Sequence, residues 1–362
     1  MFAECGLRIA ALGALALGGW SPALAEDAEA DPGLTAVEGI RVGQITYDER
    51  PTGCTVVLAE GGAVGGVDVR GGAPATRETA LLSPHNMVQE LHAVVLTGGS
   101  AYGLDAAGGV MRYLEERGVG FPVRAGVVPI VVGASLMDLG MGGSSKPRPD
   151  AECGYRASEA ATTGPVAQGN VGAGAGATVG KMGGRGTSMK GGLGSASITI
   201  EEGPAAGLVV AALVAVNAVG DVIDPATGEV VAGVRGPDNE LLDARKLLRS
   251  GGGRDRRARP GDRSDGRDNT TIAVVATNAI LNQAQATRMA QMAHDGLARS
   301  IVPSHTPGDG DTVFAVATGV LEGPPDVSRI GALAAEALAD AVLNAVRRAE
   351  SIPGFLAASD LP

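Results

Sequence analysis

The chain has 362 residues, a net charge of −11 and an isoelectric point near 4.9. An acidic chain in which only 2% of residues are aromatic has neither the basic face nor the stacking platforms of a nucleic-acid binder, so no nucleic-acid partner is expected. Apolar content is ample for a core, but that core must come from Ala, Val, Leu and Ile, and 57 glycines suit layers packed closely together.

Residues 1–25 read as a signal peptide. Arg8 gives a thin basic region, an apolar stretch runs to Trp20, and Ala23-Leu24-Ala25 precedes Glu26 and Asp27. The expected location is periplasmic or secreted, with the cytoplasm as the alternative because the positive charge is weak. No other stretch reaches the roughly 18 uninterrupted apolar residues of a spanning helix, so no membrane association is expected after signal removal. Residues 26–37 are acidic and expected to be loose, and a single domain follows over 38–362. Cys5 lies in the leader. Cys54 and Cys153 have no CxxC partner and no His at metal spacing, which argues against zinc. They are read as buried free thiols, with a disulfide as the alternative in an oxidising compartment.

Ordered structure begins near Ile40. Thr52–Leu58 and Gly65–Gly72 read as two strands of a hairpin-rich start. Leu91–Leu96 is a buried strand that runs through Gly98-Gly99 into a helix ending past Leu114. Such a junction offers backbone N–H groups to an anion or oxyanion, or is simply a tight turn. Residues 129–134 form another strand, and Tyr155–Ala161 a helix. The glycine-rich run 169–194 resembles a phosphate loop, but G-x-x-x-x-G-K-[ST] fails at Ala175 and at Met182, so nucleotide binding is rejected and no cofactor is expected. Lys190 precedes a strand at 196–200. Leu208–Asn217 is an apolar strand tipped by an amide, and Asp224–Glu229 is a hairpin turn. Residues 245–268, basic but interleaved with Asp, read as a mobile surface loop.

At Asp268-Asn269-Thr270-Thr271 that polar run meets a β-branched apolar run without transition, so a hydroxyl sits where a solvated loop enters a buried strand. A strand-start Thr commonly bonds only nearby backbone. A cut at Asn269–Thr270 would instead give Thr270 a free α-amine, with an ordinary pKa of about 7.7–8.0, able to act as base for its own hydroxyl. Beyond it come a helix over Ile280–Arg299, the turn carrying Asp309 and Asp311, a buried strand, and an Ala-rich helix over Val327–Val346. The two aspartates lack the further oxygen ligands of a calcium loop, so no metal is expected. Thr270, Lys190, Asn217, Asp309 and Asp311 are the residue types needed for nucleophilic amide hydrolysis without a His. Spacing alone does not join them into one site.

Eight stretches do. VDVRGGAPATRET (67–79), VVLTGGSAYGLDAAGGVMRYLEE (94–116), GNVGAGAGATVGK (169–181), MKGG (189–192), VNAVGD (216–221), NTTIAVVATNA (269–279), QMAHDGLAR (291–299) and HTPGDGDTVFAVATG (305–319) occur in order across the mature chain. With them the chain resembles the P1 family of self-processing peptidases and amidases, in particular its Asn–Thr cleaving branch. The resemblance implies an α+β fold, a four-layer αββα sandwich like that of N-terminal-nucleophile hydrolases. It implies self-cleavage at Asn269–Thr270 into α and β chains that stay together, a homo-oligomer (a tetramer of αβ units), and Thr270 as nucleophile supported by Lys190, Asn217, Asp309 and Asp311. The implied substrates are small peptides, amides or oligoamides. Tyr155 is a looser candidate donor. An acyltransferase of the ornithine acetyltransferase type is the rival enzyme, and a non-catalytic scaffold or binding module the rival of another class.

Overall fold

The computed structural model describes residues 31–251 and 269–362. The expected signal peptide and most of the 245–268 loop lie outside them. Nine strands share one hydrogen-bonded sheet: β1 Arg41–Thr46, β2 Gly53–Val69, β3 Thr76–Arg77, β4 Glu90–Thr97, β5 Val131–Ser135, β6 Gly192–Thr199, β7 Val209–Asn217, β8 Thr270–Ala279 and β9 Thr312–Leu321. Their order is β6-β7-β8-β9-β2-β4-β5-β3, with β1 also paired to β2. The helices are α1 Ala106–Glu115, α2 Ala151–Glu159, α3 Ala244–Ser250, α4 Gln283–Ser300 and α5 Val327–Arg347.

Alternation along the strands sorts these elements into layers. In β8, Ala273 and Val275 pack with Met289, Ala293 and Leu338 of α4 and α5. Their neighbours Ile272, Val274 and Ala276 fill a second core with Leu91, Val94 and Leu96 of β4 and with Phe314 of β9. In β2 and β4, Cys54, Val56, Leu58, Ala93 and Val95 make a third core with Val110, Leu114 and Ala157 of α1 and α2. Three cores separate four layers: a helix pair, two sheet halves face to face, and a second helix pair. This is the expected αββα sandwich. The strands of the middle layers are covered on both faces, which is why their sequences read as continuous apolar runs.

Several expectations need correction. Residues 53–69 are one long strand, with a register irregularity between Leu58 and Ala63, rather than a hairpin. Its first half pairs with β1 and β4 and its second half with β9, so β2 passes from one sheet half to the other. Residues 33–37 are not loose. They contain a 3₁₀ turn, Leu34 and Val37 are fully buried, and Leu34 N donates to Ser195 Oγ at 2.8 Å. Residues 245–250, expected to open the mobile loop, belong to α3. Cys54 and Cys153 are not free thiols but are joined in a disulfide that ties β2 to α2.

Two registers position the site. β7 and β8 are antiparallel with Asn217 opposite Thr270, and β8 and β9 are parallel with Ile272 opposite Thr312. The first residue of β8 is thus set between the end of β7 and the loop that enters β9.

Candidate active site

Thr270 begins β8 and is buried, and its hydroxyl donates to the carbonyl oxygen of Asn269. The same oxygen accepts the backbone N–H of Gly310 at 3.2 Å. The nucleophile candidate therefore lies on the bond it is expected to cut, and a main-chain donor already polarises that carbonyl. A Cβ at Gly310 would stand 2.9 Å from Thr270 Oγ1 and 2.9 Å from Ala73 O, so only glycine fits here without displacing the hydroxyl.

The loop 305–311 is folded on its two carboxylates. Asp309 Oδ2 accepts Thr306 N at 2.6 Å, while Asp309 Oδ1 is buried with no hydrogen-bond partner among the described residues. Burial, then the charge of Asp311, raises the Asp309 carboxyl above the usual range. Asp311 Oδ1 accepts Thr271 N at 2.8 Å, and its Oδ2 accepts the backbone N–H of His305 at 2.9 Å and is 2.8 Å from His305 Nδ1. Thus Asp311 ties the loop to the residue that follows the nucleophile.

Across the sheet, Asn217 Oδ1 accepts Thr178 N at 3.0 Å and Lys181 Nζ at 2.6 Å, and its Nδ2 donates to Met137 O at 3.1 Å. Two donors on one oxygen fix which end of the amide is the donor. Lys190 does not share this contact. Its fully buried ammonium donates to the carbonyls of Gly174, Ala177 and Gly191, each at 2.9 Å. Burial pushes it down to about 7, with Asp138 and Lys181 acting in opposite senses. Lys190 holds the glycine-rich loop. Lys181, which the sequence does not single out as a site residue, reaches the site amide.

Thr270, Asn269, Asn217, Asp309 and Asp311 are therefore brought together, and Lys190 joins them only indirectly, paired opposite Thr178, whose N–H donates to Asn217. Tyr155 is elsewhere: it lies on α2, and its hydroxyl donates to Glu116 at 2.8 Å. The Gly98-Gly99 junction is not an anion site, because Gly98 N, Gly99 N and Ser100 N donate to Gly53 O, Asp138 Oδ1 and Leu136 O. Residues 100–105 form a 3₁₀ turn before α1. Among the described residues no group of three or more His, Cys, Asp or Glu could hold a metal ion. His305 was missed because its role depends on contacts within a loop that has no periodic signal.

The family model described as peptidase family S58 matches residues 33–358. An uncharacterized aminopeptidase of Mycobacterium tuberculosis (strain ATCC 25618 / H37Rv) is 44% identical over 350 residues, covering 89% of this chain and 95% of its own. A 6-aminohexanoate-oligomer endohydrolase of Kocuria sp. (strain KY2) is 32% identical over 328 residues, covering 85% and 84%. Among solved structures, the L-aminopeptidase D-Ala-esterase/amidase from Ochrobactrum anthropi, described as a variant of the Ntn hydrolase fold, superposes with a TM-score of 0.66 at 20% identity over 90% of each chain.

Proposed function

The chain belongs to peptidase family S58, and from that premise we propose that its nucleophile is Thr270, released by self-cleavage after Asn269. The protein is an amide-bond hydrolase of the aminopeptidase or amidase type. The observation that carries the assignment of the nucleophile is the contact of the Thr270 hydroxyl with the Asn269 carbonyl, on which Gly310 N–H also converges.

In the precursor, Thr270 Oγ attacks the Asn269 carbonyl carbon. Negative charge develops on the oxygen that faces Gly310 N–H, where a preorganised donor stabilises it. The C–N bond breaks, the nitrogen takes a proton to become the Thr270 α-amine, and Asn269 is left esterified to Oγ. Water then hydrolyses the ester. In the mature enzyme the α-amine takes the proton of Oγ as it attacks a substrate amide, and later delivers one to the leaving amine. Asn217, with its amide orientation fixed by Lys181 and Thr178 N, serves as oxyanion donor, a role whose loss typically costs about 10²–10³ in rate. Asp311 anchors Thr271, and Asp309 stands beside it with its carboxyl raised above the usual range by burial and by Asp311.

The substrate class we propose is small peptides, amides or oligoamides, in keeping with the names of the relatives. We further place the enzyme in the periplasm or outside the cell, which the Cys54–Cys153 disulfide supports because such bonds persist in oxidising compartments. A tetramer of αβ units is part of the same proposal and is read by native mass measurement.

The test is intact mass with N-terminal sequencing of purified protein. A fragment beginning Thr-Thr-Ile-Ala-Val-Val is expected from the wild type, and a single uncut, inactive chain from Thr270→Ala. A normally processed Thr270→Ala protein would refute the assignment.

A further inference from the structure

We propose that His305 is a positioning residue for the nucleophile, holding Asp311 so that its carboxylate fixes the backbone at the start of β8. The inference rests on the proposed role of Thr270.

Asp311 is only 3% exposed, and three nitrogens face its two oxygens. Thr271 N takes one oxygen; the backbone N and ring Nδ1 of His305 share the other. A carboxylate can only accept, so the proton of this contact is on Nδ1. His305 thus supplies two of the three donors. Without the ring, Oδ2 keeps a single backbone donor and the carboxylate can turn away from Thr271.

The backbone is shaped for this contact. His305 has φ of 56°, in the left-handed region that costs energy for a residue with a side chain. That conformation brings N–H and Nδ1 of one residue onto one oxygen. The ring is held from its other side by an edge-to-face contact with His294, at 4.8 Å between centroids, and His294 Nε2 lies 3.0 Å from Asp68 O. Burial pushes His294 down to about 4, so its ring stays neutral beside His305 near pH 7. The chain of contacts runs from β2 through α4 and His305 to Asp311, and ends at the residue adjoining the nucleophile. Neither histidine belongs to the site read from the sequence.

Asn, Asp and Gly all tolerate a left-handed backbone, which separates the conformation from the donor. An asparagine or an aspartate side chain at position 305 would have nearly the same shape, but only the amide donates. Self-cleavage of the full chain is followed by intact mass after a short induction, with Thr270→Ala as control. His305→Asn is expected to cleave within about threefold of wild type. His305→Asp and His305→Gly are expected to be slower by about 10–100-fold, the usual effect of losing a charge-assisted hydrogen bond. The proposal is overturned if His305→Gly or His305→Asp cleaves at the wild-type rate, or if His305→Asn is as slow as His305→Gly. Failure of Thr270 as nucleophile looks different: there the wild type stays uncut or Thr270→Ala is cut, and both readings fall.

Discussion

Lys181 and Lys190 come from one glycine-rich stretch and differ in what their ammonium groups touch. Lys181 reaches the Asn217 side chain, whereas Lys190 is enclosed by three backbone carbonyls. Lys181→Met should therefore lower kcat through Asn217 in addition to any loss of stability, whereas Lys190→Met should act chiefly on stability. The pH dependence separates them further. The folded chain releases the Lys190 proton at about 7, while the unfolded chain keeps it to about 10.4. Between these values the unfolded state binds more protons, so raising the pH favours the folded state. Urea unfolding of the Thr270→Ala protein should show stability rising from about pH 7 to about pH 9 through this group, and Lys190→Met should remove that part of the slope. The motif MKGG drew attention to Lys190 because sequence shows identity and spacing. The fold of the chain between Gly180 and Lys190 decides which ammonium meets Asn217, and that is tertiary information.

At the scale of elements, α1 and α2 cross with glycine against backbone. A Cβ on Gly109 would run into the carbonyl oxygen of Ala151, and one on Gly154 into the carbonyl oxygen of Ala106. Each helix thus presents a glycine to the other's main chain, and neither contact can relax by moving a flexible side chain. Gly109→Ala should destabilise the protein by about 1–3 kcal/mol or more through overpacking, read as a lower urea midpoint with an unchanged slope. A substitution that left the midpoint in place would show that the helices can separate freely. The strands β7, β8 and β9 were legible because burial on both faces leaves unbroken apolar runs. The long β2 was not, since Gly61-Gly62 falls between two apolar stretches that read as separate strands. Gly66 serves close packing: a Cβ there would collide with the backbone N of Thr287 in α4.

At the scale of the molecule, the Asn269–Thr270 bond divides the fold unevenly. Residues 270–362 supply β8 and β9 in the middle of the sheet and both helices of one outer layer. β8 is hydrogen-bonded along its length to β7 of the N-terminal piece, and β9 to β2. Ile272, Val274, Phe314 and Val316 lie in the same core as Leu91, Leu96 and Leu213. Separating the pieces would expose two cores at once, at about 25 cal/mol per Å² of apolar surface, so cleavage should leave the assembly intact. The disulfide has no part in this, because Cys54 and Cys153 both lie before the cut. Cleaved protein should therefore run as two bands on a denaturing gel with or without reductant, and elute as one species in native size-exclusion chromatography. Fragments that part under native conditions would mean that the strand pairing and shared core across the cut are too weak to hold them, contrary to the register and burial of β8.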